Sequence, residues 1–189
     1  IGNDLETTWS SLLAGKSGAA PTTQFDTTNF ATKFACEVKN FDPHVYSDKK
    51  EARKMDRFIQ LGVAASEHAI KDSGLTFTRE ESERVGVFIG SGIGGFATIE
   101  REHTEMMTGG PRRISPFFIP SAIINLAAGW VTIRTGARGP SSATATACTS
   151  SAHSIGDAFR VIQRGEADVM IAGGSEAAIT GLGVGGFNA

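Results

Sequence analysis

Cysteine is nearly absent from this chain: Cys36 and Cys148 are the only two in 189 residues. Two are too few for a disulfide framework and fit a reducing compartment. No apolar run approaches the roughly 18 to 20 residues that span a bilayer, and no charged-then-apolar leader opens the chain. A cytoplasmic location is the expectation. The first residue is Ile1 rather than Met, which reads as a processed, trimmed or fragment end and leaves an organelle signal open. Neither sign of charge dominates, since 18 Lys and Arg against 20 Asp and Glu leave a formal net charge of -2. That excludes a global attraction to nucleic acid or to an anionic membrane, while leaving room for a local basic patch.

What is present is the composition of one ordinary globular domain, with 40% hydrophobic and 20% charged residues, so no disordered segment is expected. The 23 glycines cluster at the ends of periodic segments, which is turn and close-packing usage and not low complexity. Asn3 or Asp4 can cap a first helix carrying Leu5, Trp9, Leu12 and Leu13, and a short strand is expected near Phe34–Val38. The spacing of Met55, Phe58, Ile59, Gly62, Ser66 and Ala69 predicts one long helix over about 50–73, stopped by Gly74. RVGVFI, at 84–89, is short and almost entirely apolar, as a strand covered on both faces should be. It runs into GSGIGG and a helix over about 96–107. The prolines of TGGPRRISPFFIP mark a loop, after which Ser121 is expected to cap a helix reaching about Thr135. A strand over 142–147, a helix over 151–164 and a strand over 167–172 follow. Alternating apolar strands and helices argue for an α/β domain with helices on both faces of a sheet.

Two stretches carry chemistry. Gly90, Gly92 and Gly95 satisfy G-x-G-x-x-G between a strand and a helix, where a dinucleotide-binding turn belongs. The acidic residue expected about 20 positions on is replaced by loop, so close backbone packing is the favoured reading and nucleotide binding the rival. In ATACTSSAH, Cys148 follows a run of small residues and precedes helix-capping Thr149, Ser150 and Ser151. A buried cysteine is the ordinary alternative, and that role is assigned to Cys36. A thiol at a helix start, by contrast, gains from the partial positive charge and free N–H groups, which favour thiolate and can stabilise an oxyanion. The buried face of the helix after Cys148 is expected to be Ala152, Ile155, Gly156, Phe159 and Ile162.

With ATACTSSAHSIGDAFRVIQRGEADVMIAGGSE, GVFIGSGIGG, GGPRRISPFFIPS and LGVGGF quoted together, the chain closely resembles the β-ketoacyl-acyl-carrier-protein synthases, nearest the synthase II type. Condensing domains of polyketide synthases rank second, because Ala145 stands where they more often carry Asp. The resemblance implies a thiolase-like, layered αβαβα fold, of which residues 1–189 would form the N-terminal lobe without its opening strand and without the C-terminal lobe. It implies that Cys148 takes an acyl chain from acyl-carrier protein before a decarboxylative condensation with malonyl-carrier protein. No metal or organic cofactor is implied, since the phosphopantetheine arm arrives with the carrier, and the full-length protein is expected to be a homodimer.

The resemblance further assigns Ile93, Phe118 and Phe187 to substrate-pocket walls, with Phe118 reaching toward the partner subunit's pocket. Ordinary core packing weighs equally for each. Lys50, Arg53, Lys54 and Arg57 recur at i, i+3, i+4 and i+7, so one helix face carries all four, in first turns that disfavour cations. With Arg112 and Arg113 they are the expected dock for the acidic carrier protein, against the plainer reading of a solvated face. The family's catalytic histidines, lysine and phenylalanine loop have no match here. His44, His68, His103 and His153 fit none of them by context, and His153 is read as a polar-face residue. The chain alone is therefore expected to be inactive.

Overall fold

A computed structural model describes residues 1–189, which divide into two compact units, one of Ile1–Asp42 with Ala178–Ala189 and one of Pro43–Ala177. In the first unit Asp4, not Asn3, caps α1 (Leu5–Leu13) by accepting the Thr7 N–H. The predicted strand contracts to β2 (Phe34–Ala35), paired antiparallel with β1 (Ala20–Pro21).

In the second unit the predicted long helix is two. α2 (Lys49–Ala52) is capped by Asp48, and α3 (Arg57–Ser73) starts afresh at Asp56 and ends at left-handed Gly74. The reason lies in Asp56, which is buried: Oδ1 accepts the Phe58 N–H at 3.2 Å and Oδ2 accepts the Thr98 N–H of a distant segment at 2.9 Å. Gln60 donates to the carbonyls of Ala52 and Met55, and the Met55 N–H also donates to the Ala52 carbonyl, so side chain and backbone together tie off the break. α3 buries Phe58, Ile59, Gly62 and Ser66 as expected and Val63 and Ala64 besides, while Ala69 is exposed.

β3 (Val85–Gly90) is the middle strand of a parallel sheet, and α4 (Phe96–Gly109) follows it. The proline segment is not all loop. Pro111–Arg113 form one 3₁₀ turn and α5 spans Phe118–Ala122, with Pro120 in the first turn, where a missing N–H breaks no helix bond. Ser121 caps nothing; it lies inside α5 and donates to the carbonyls of Phe117 and Phe118. α6 (Leu126–Thr135) follows. β4 is only Ser141–Ser142, shorter than predicted, and leads through a 3₁₀ turn at Ala147–Thr149 into α7 (Ser150–Gln163), then β5 (Val169–Gly174). α8 (Gly181–Asn188) belongs to the first unit.

The sheet order is β4-β3-β5, all parallel, with Val85 opposite Val169 and Val87 opposite both Ile171 and Ser141. Arg84 fixes the entry to this register, since its guanidinium grips Asp168 at 2.8 Å and holds that carboxyl below the usual carboxylate range. Phe58, Ile59 and Val63 of α3 and Ala127, Ala128 and Val131 of α6 pack on Val85, Val87 and Ile89. Alternation along the strand turns Gly86, Phe88 and Gly90 to the other side, where α7 begins: a Cβ on Gly90 would lie 2.8 Å from the Ser150 carbonyl. No helix is long and apolar enough to cross a membrane.

α7 reverses an expectation. Its buried stripe is Ser150, Ser154, Ala158 and Val161, whereas Ile155, Phe159 and Ile162 are 53%, 60% and 44% exposed. The physical reason is distance: small side chains let the helix axis approach the sheet and place hydroxyls against its end. Removing Asp56 tests how much the break in the predicted helix contributes. Asp56→Ala should cost about 2–4 kcal/mol in urea unfolding, a lost cap plus a stranded buried Thr98 N–H, and Asp56→Asn clearly less.

Candidate active site

Cys148 is exposed, in the 3₁₀ turn that feeds α7. The residue before it, Ala147, has φ +51°, a left-handed conformation that costs a non-glycine residue about 1–3 kcal/mol and persists only where the surroundings impose it. Here they are hydroxyls. Ser150 Oγ donates to the Ala147 carbonyl at 2.7 Å and accepts the Thr146 N–H at 2.9 Å, while Thr149 Oγ1 donates to the Thr146 carbonyl at 2.6 Å. Behind the turn, Thr144 Oγ1 donates to the Ser150 carbonyl at 2.7 Å and lies 2.9 Å from Ser154 Oγ. The sharp turn thus projects the thiol into the open at a helix start.

The glycine loop lies directly behind. Ser91 donates its N–H to the Thr144 carbonyl at 3.1 Å. At Gly92 a Cβ would stand 3.2 Å from the Ala147 carbonyl oxygen, and at Gly95 it would stand 2.5 Å from Ala122 Cα, so both positions need glycine for close approach. The loop's N–H groups are already occupied. Glu176 Oε2 accepts from Gly92 and Ile93, each at 2.8 Å, and Oε1 accepts from Gly94 at 3.2 Å and from the Ser91 hydroxyl at 3.1 Å. A carboxylate of this chain sits where a dinucleotide would place its phosphate, which overturns the nucleotide reading. Sequence reasoning missed Glu176; its only signal was an acid just past an apolar strand.

An apolar pocket of about 510 Å³ opens beside the turn and brings together Ile93 and Phe118, two of the three predicted substrate residues, with Ile99, Ala143 and Ala145. Ala145 stands three residues before Cys148, so the pocket reaches the segment that carries the thiol. Phe187 belongs to the first unit, on α8, and is exposed.

The basic residues are differently arranged from the single helix face expected. Lys50 lies in α2, Arg53 ends it, Lys54 lies between the helices and Arg57 opens α3. Lys50, Arg53 and Arg112 are exposed, and Lys54 Nζ stands 5.3 Å from the Phe117 ring centroid, which links this run to the Arg112–Arg113 segment. Arg113 is paired with Glu105 at 3.0 Å, and burial lowers the pKa of Arg57.

Cys36 is exposed, against the buried role expected of it. His153 is not simply solvated: Nδ1 is 3.3 Å from Thr146 Oγ1 and Nε2 is 3.3 Å from Asp157 Oδ2. His68 Nε2 meets the Tyr46 hydroxyl at 2.8 Å, and His44 and His103 are exposed.

Comparison with known proteins fits this geometry. The family described as "Beta-ketoacyl synthase, N-terminal domain" matches residues 1–189. The chain is 53% identical over 189 residues to 3-oxoacyl-[acyl-carrier-protein] synthase 2 of Vibrio cholerae, covering all of this chain and 46% of that protein. The ishigamide ketosynthase/chain length factor superposes with a TM-score of 0.89 at 27% identity, over 100% of this chain and 47% of that one. A type II polyketide acyl-carrier protein in complex with its ketosynthase, bound to the hexaketide, gives 0.71 at 27% identity over 79% and 43%. The chain therefore spans about half the length of the relatives it matches. With Glu176 filling the glycine loop, calorimetric titration with dinucleotides at millimolar concentration should give no binding heat; saturable heat would restore the nucleotide reading.

Proposed function

The chain belongs to the β-ketoacyl synthase family, and we propose that it is the nucleophile-bearing half of a condensing enzyme of fatty-acid elongation. The observation that carries this reading is the turn at Cys148, with a strained Ala147 that presents an exposed thiol beside an apolar pocket holding Ile93 and Phe118. In the first step the thiolate attacks the thioester carbonyl of acyl-carrier protein, the C–S bond to the phosphopantetheine arm breaks, and the acyl chain is left on Cys148 Sγ. In the second, malonyl-carrier protein loses carbon dioxide, and the carbanion formed attacks the Cys148 thioester and expels the thiolate. The product is a 3-oxoacyl chain on the carrier. Splitting a difficult acyl transfer over a covalent intermediate is the use of such a nucleophile.

The 53% identity to a 3-oxoacyl-[acyl-carrier-protein] synthase 2, against 27% to the ketosynthase of a type II polyketide complex, favours elongation over polyketide assembly. A thiolase-like α/β fold accounts for the parallel sheet with helices on both sides. The exposed Ile155, Phe159 and Ile162 are the surface that the family's C-terminal lobe would cover, and the groups for decarboxylation would come with that lobe.

Acyl-carrier protein is the proposed partner. The complex of a type II carrier protein with its ketosynthase supports this class of partner. Lys50 and Arg53, exposed, with Lys54 against Phe117 and Arg112 in the neighbouring segment, supply a basic surface for an acidic carrier. Arg113 and Arg57 contribute less, the one paired with Glu105 and the other partly buried. Such charges steer and orient, and salt weakens them.

Full-length protein incubated with long-chain acyl-carrier protein should carry the acyl adduct on Cys148 by peptide mass spectrometry, and Cys148→Ala should carry none. An adduct elsewhere would sink the assignment. Residues 1–189 alone should yield no 3-oxoacyl product. Reversing charge at Lys50 and Arg53 together should raise the KM for acyl-carrier protein about five- to fiftyfold, with kcat near unchanged and the difference shrinking at high salt.

A further inference from the structure

The geometry points to Glu176 as a positioning residue of the acyl-transfer site: its carboxylate locks the glycine loop, which sets the pocket wall at Ile93 and backs the Cys148 turn. The inference rests on the reading of Cys148 and Ile93 given above. Glu176 follows the end of β5 by two residues and reaches a loop more than eighty residues earlier in the chain. There it accepts from three consecutive backbone N–H groups, Gly92 and Ile93 on one oxygen and Gly94 on the other, together with the Ser91 hydroxyl. Successive N–H groups converging on one point form an anion-binding nest. A carboxylate is the side chain that accepts on both ends, and bonds to a charged acceptor are stronger than neutral ones.

The loop passes this constraint in two directions. The bond to the Ile93 N–H fixes the backbone from which the Ile93 side chain enters the apolar pocket, opposite Phe118 and near Ala145. On its other side Gly92 approaches the Ala147 carbonyl and Ser91 donates to the Thr144 carbonyl, so the loop forms the back of the turn that holds Cys148. Glu176 touches neither the thiol nor the pocket interior, and its effect is exerted through position. With Ile93 as a pocket wall, acyl chains long enough to reach it feel the loop's position most, and shorter ones feel it least.

The test compares full-length wild type with Glu176→Gln, Glu176→Asp and Ser91→Ala. In Glu176→Gln one end of the amide turns N–H groups toward donors, so amide hydrogen exchange at Gly92, Ile93 and Gly94 should speed up at least about tenfold, with the last turns of α7 unchanged. Acylation of Cys148 should lose about tenfold or more in kcat/KM with hexadecanoyl-carrier protein and less than about threefold with butanoyl-carrier protein. Glu176→Asp, which keeps the charge, should restore part of that ratio. Ser91→Ala removes one bond to the same carboxylate and should move both readouts the same way by less, which keeps the test decisive if the Glu176 variants fail to fold. Unchanged exchange at the three amides, or an equal loss for both chain lengths, overturns the inference. If wild type takes no acyl group on Cys148, the proposed function fails instead, and the exchange measurement alone decides whether Glu176 holds the loop.

Discussion

The hydroxyl of Thr144 sits where three elements converge. It donates to the Ser150 carbonyl and touches the Ser154 hydroxyl at the start of α7, while the carbonyl of the same residue accepts the first N–H of the glycine loop. A helix, a strand end and a loop are thereby fixed to one residue four positions before the thiol. Because these bonds are short and point in set directions, the backbone between them has little freedom, and the left-handed Ala147 is what closes the distance. Larger residues along α7's inner stripe would push the helix away and leave those groups unbonded.

This arrangement explains which parts of the molecule were readable in advance. α1, β3 and the span of α7 follow from local signals: an Asp cap, an apolar run, a glycine stop. The break before α3 was not readable, because apolar spacing is continuous across it and the deciding bond runs from Asp56 to Thr98, forty-two residues away. The inner face of α7 was misread for a related reason. Its larger apolar side chains give the stronger periodic signal, yet the sheet selects the small hydroxyl-bearing stripe, whose hydrogen bonds to Thr144, Thr146 and Ala147 leave no mark in hydrophobic periodicity.

The candidate site divides along the same line. The exposed helix-start position of Cys148 was legible from its neighbours, and Ile93 and Phe118 were singled out by motif matching; the structure adds that those two share one cavity. The glycine loop was ambiguous because the same N–H cradle serves any anion. What resolved it was an internal acid, Glu176, supplied from just past the adjoining end of the parallel neighbour β5. Asp56, Glu102 and Glu176 share this habit: each carboxylate accepts backbone N–H groups from a segment remote in sequence, with Glu102 receiving Ser115. Charge in this unit serves to join segments as much as to keep the surface soluble.

The two stripes of α7 separate what builds the turn from what the helix leaves open. Every group that shapes the thiol's turn lies between Ser91 and Glu176, so one continuous stretch of the second unit is enough to build it. The outward stripe of Ile155, Phe159 and Ile162 stands uncovered on the opposite side of the same helix. One helix thus carries two unlike faces: small hydroxyl-bearing side chains that shape the turn from within, and bulky apolar ones that lie in the open.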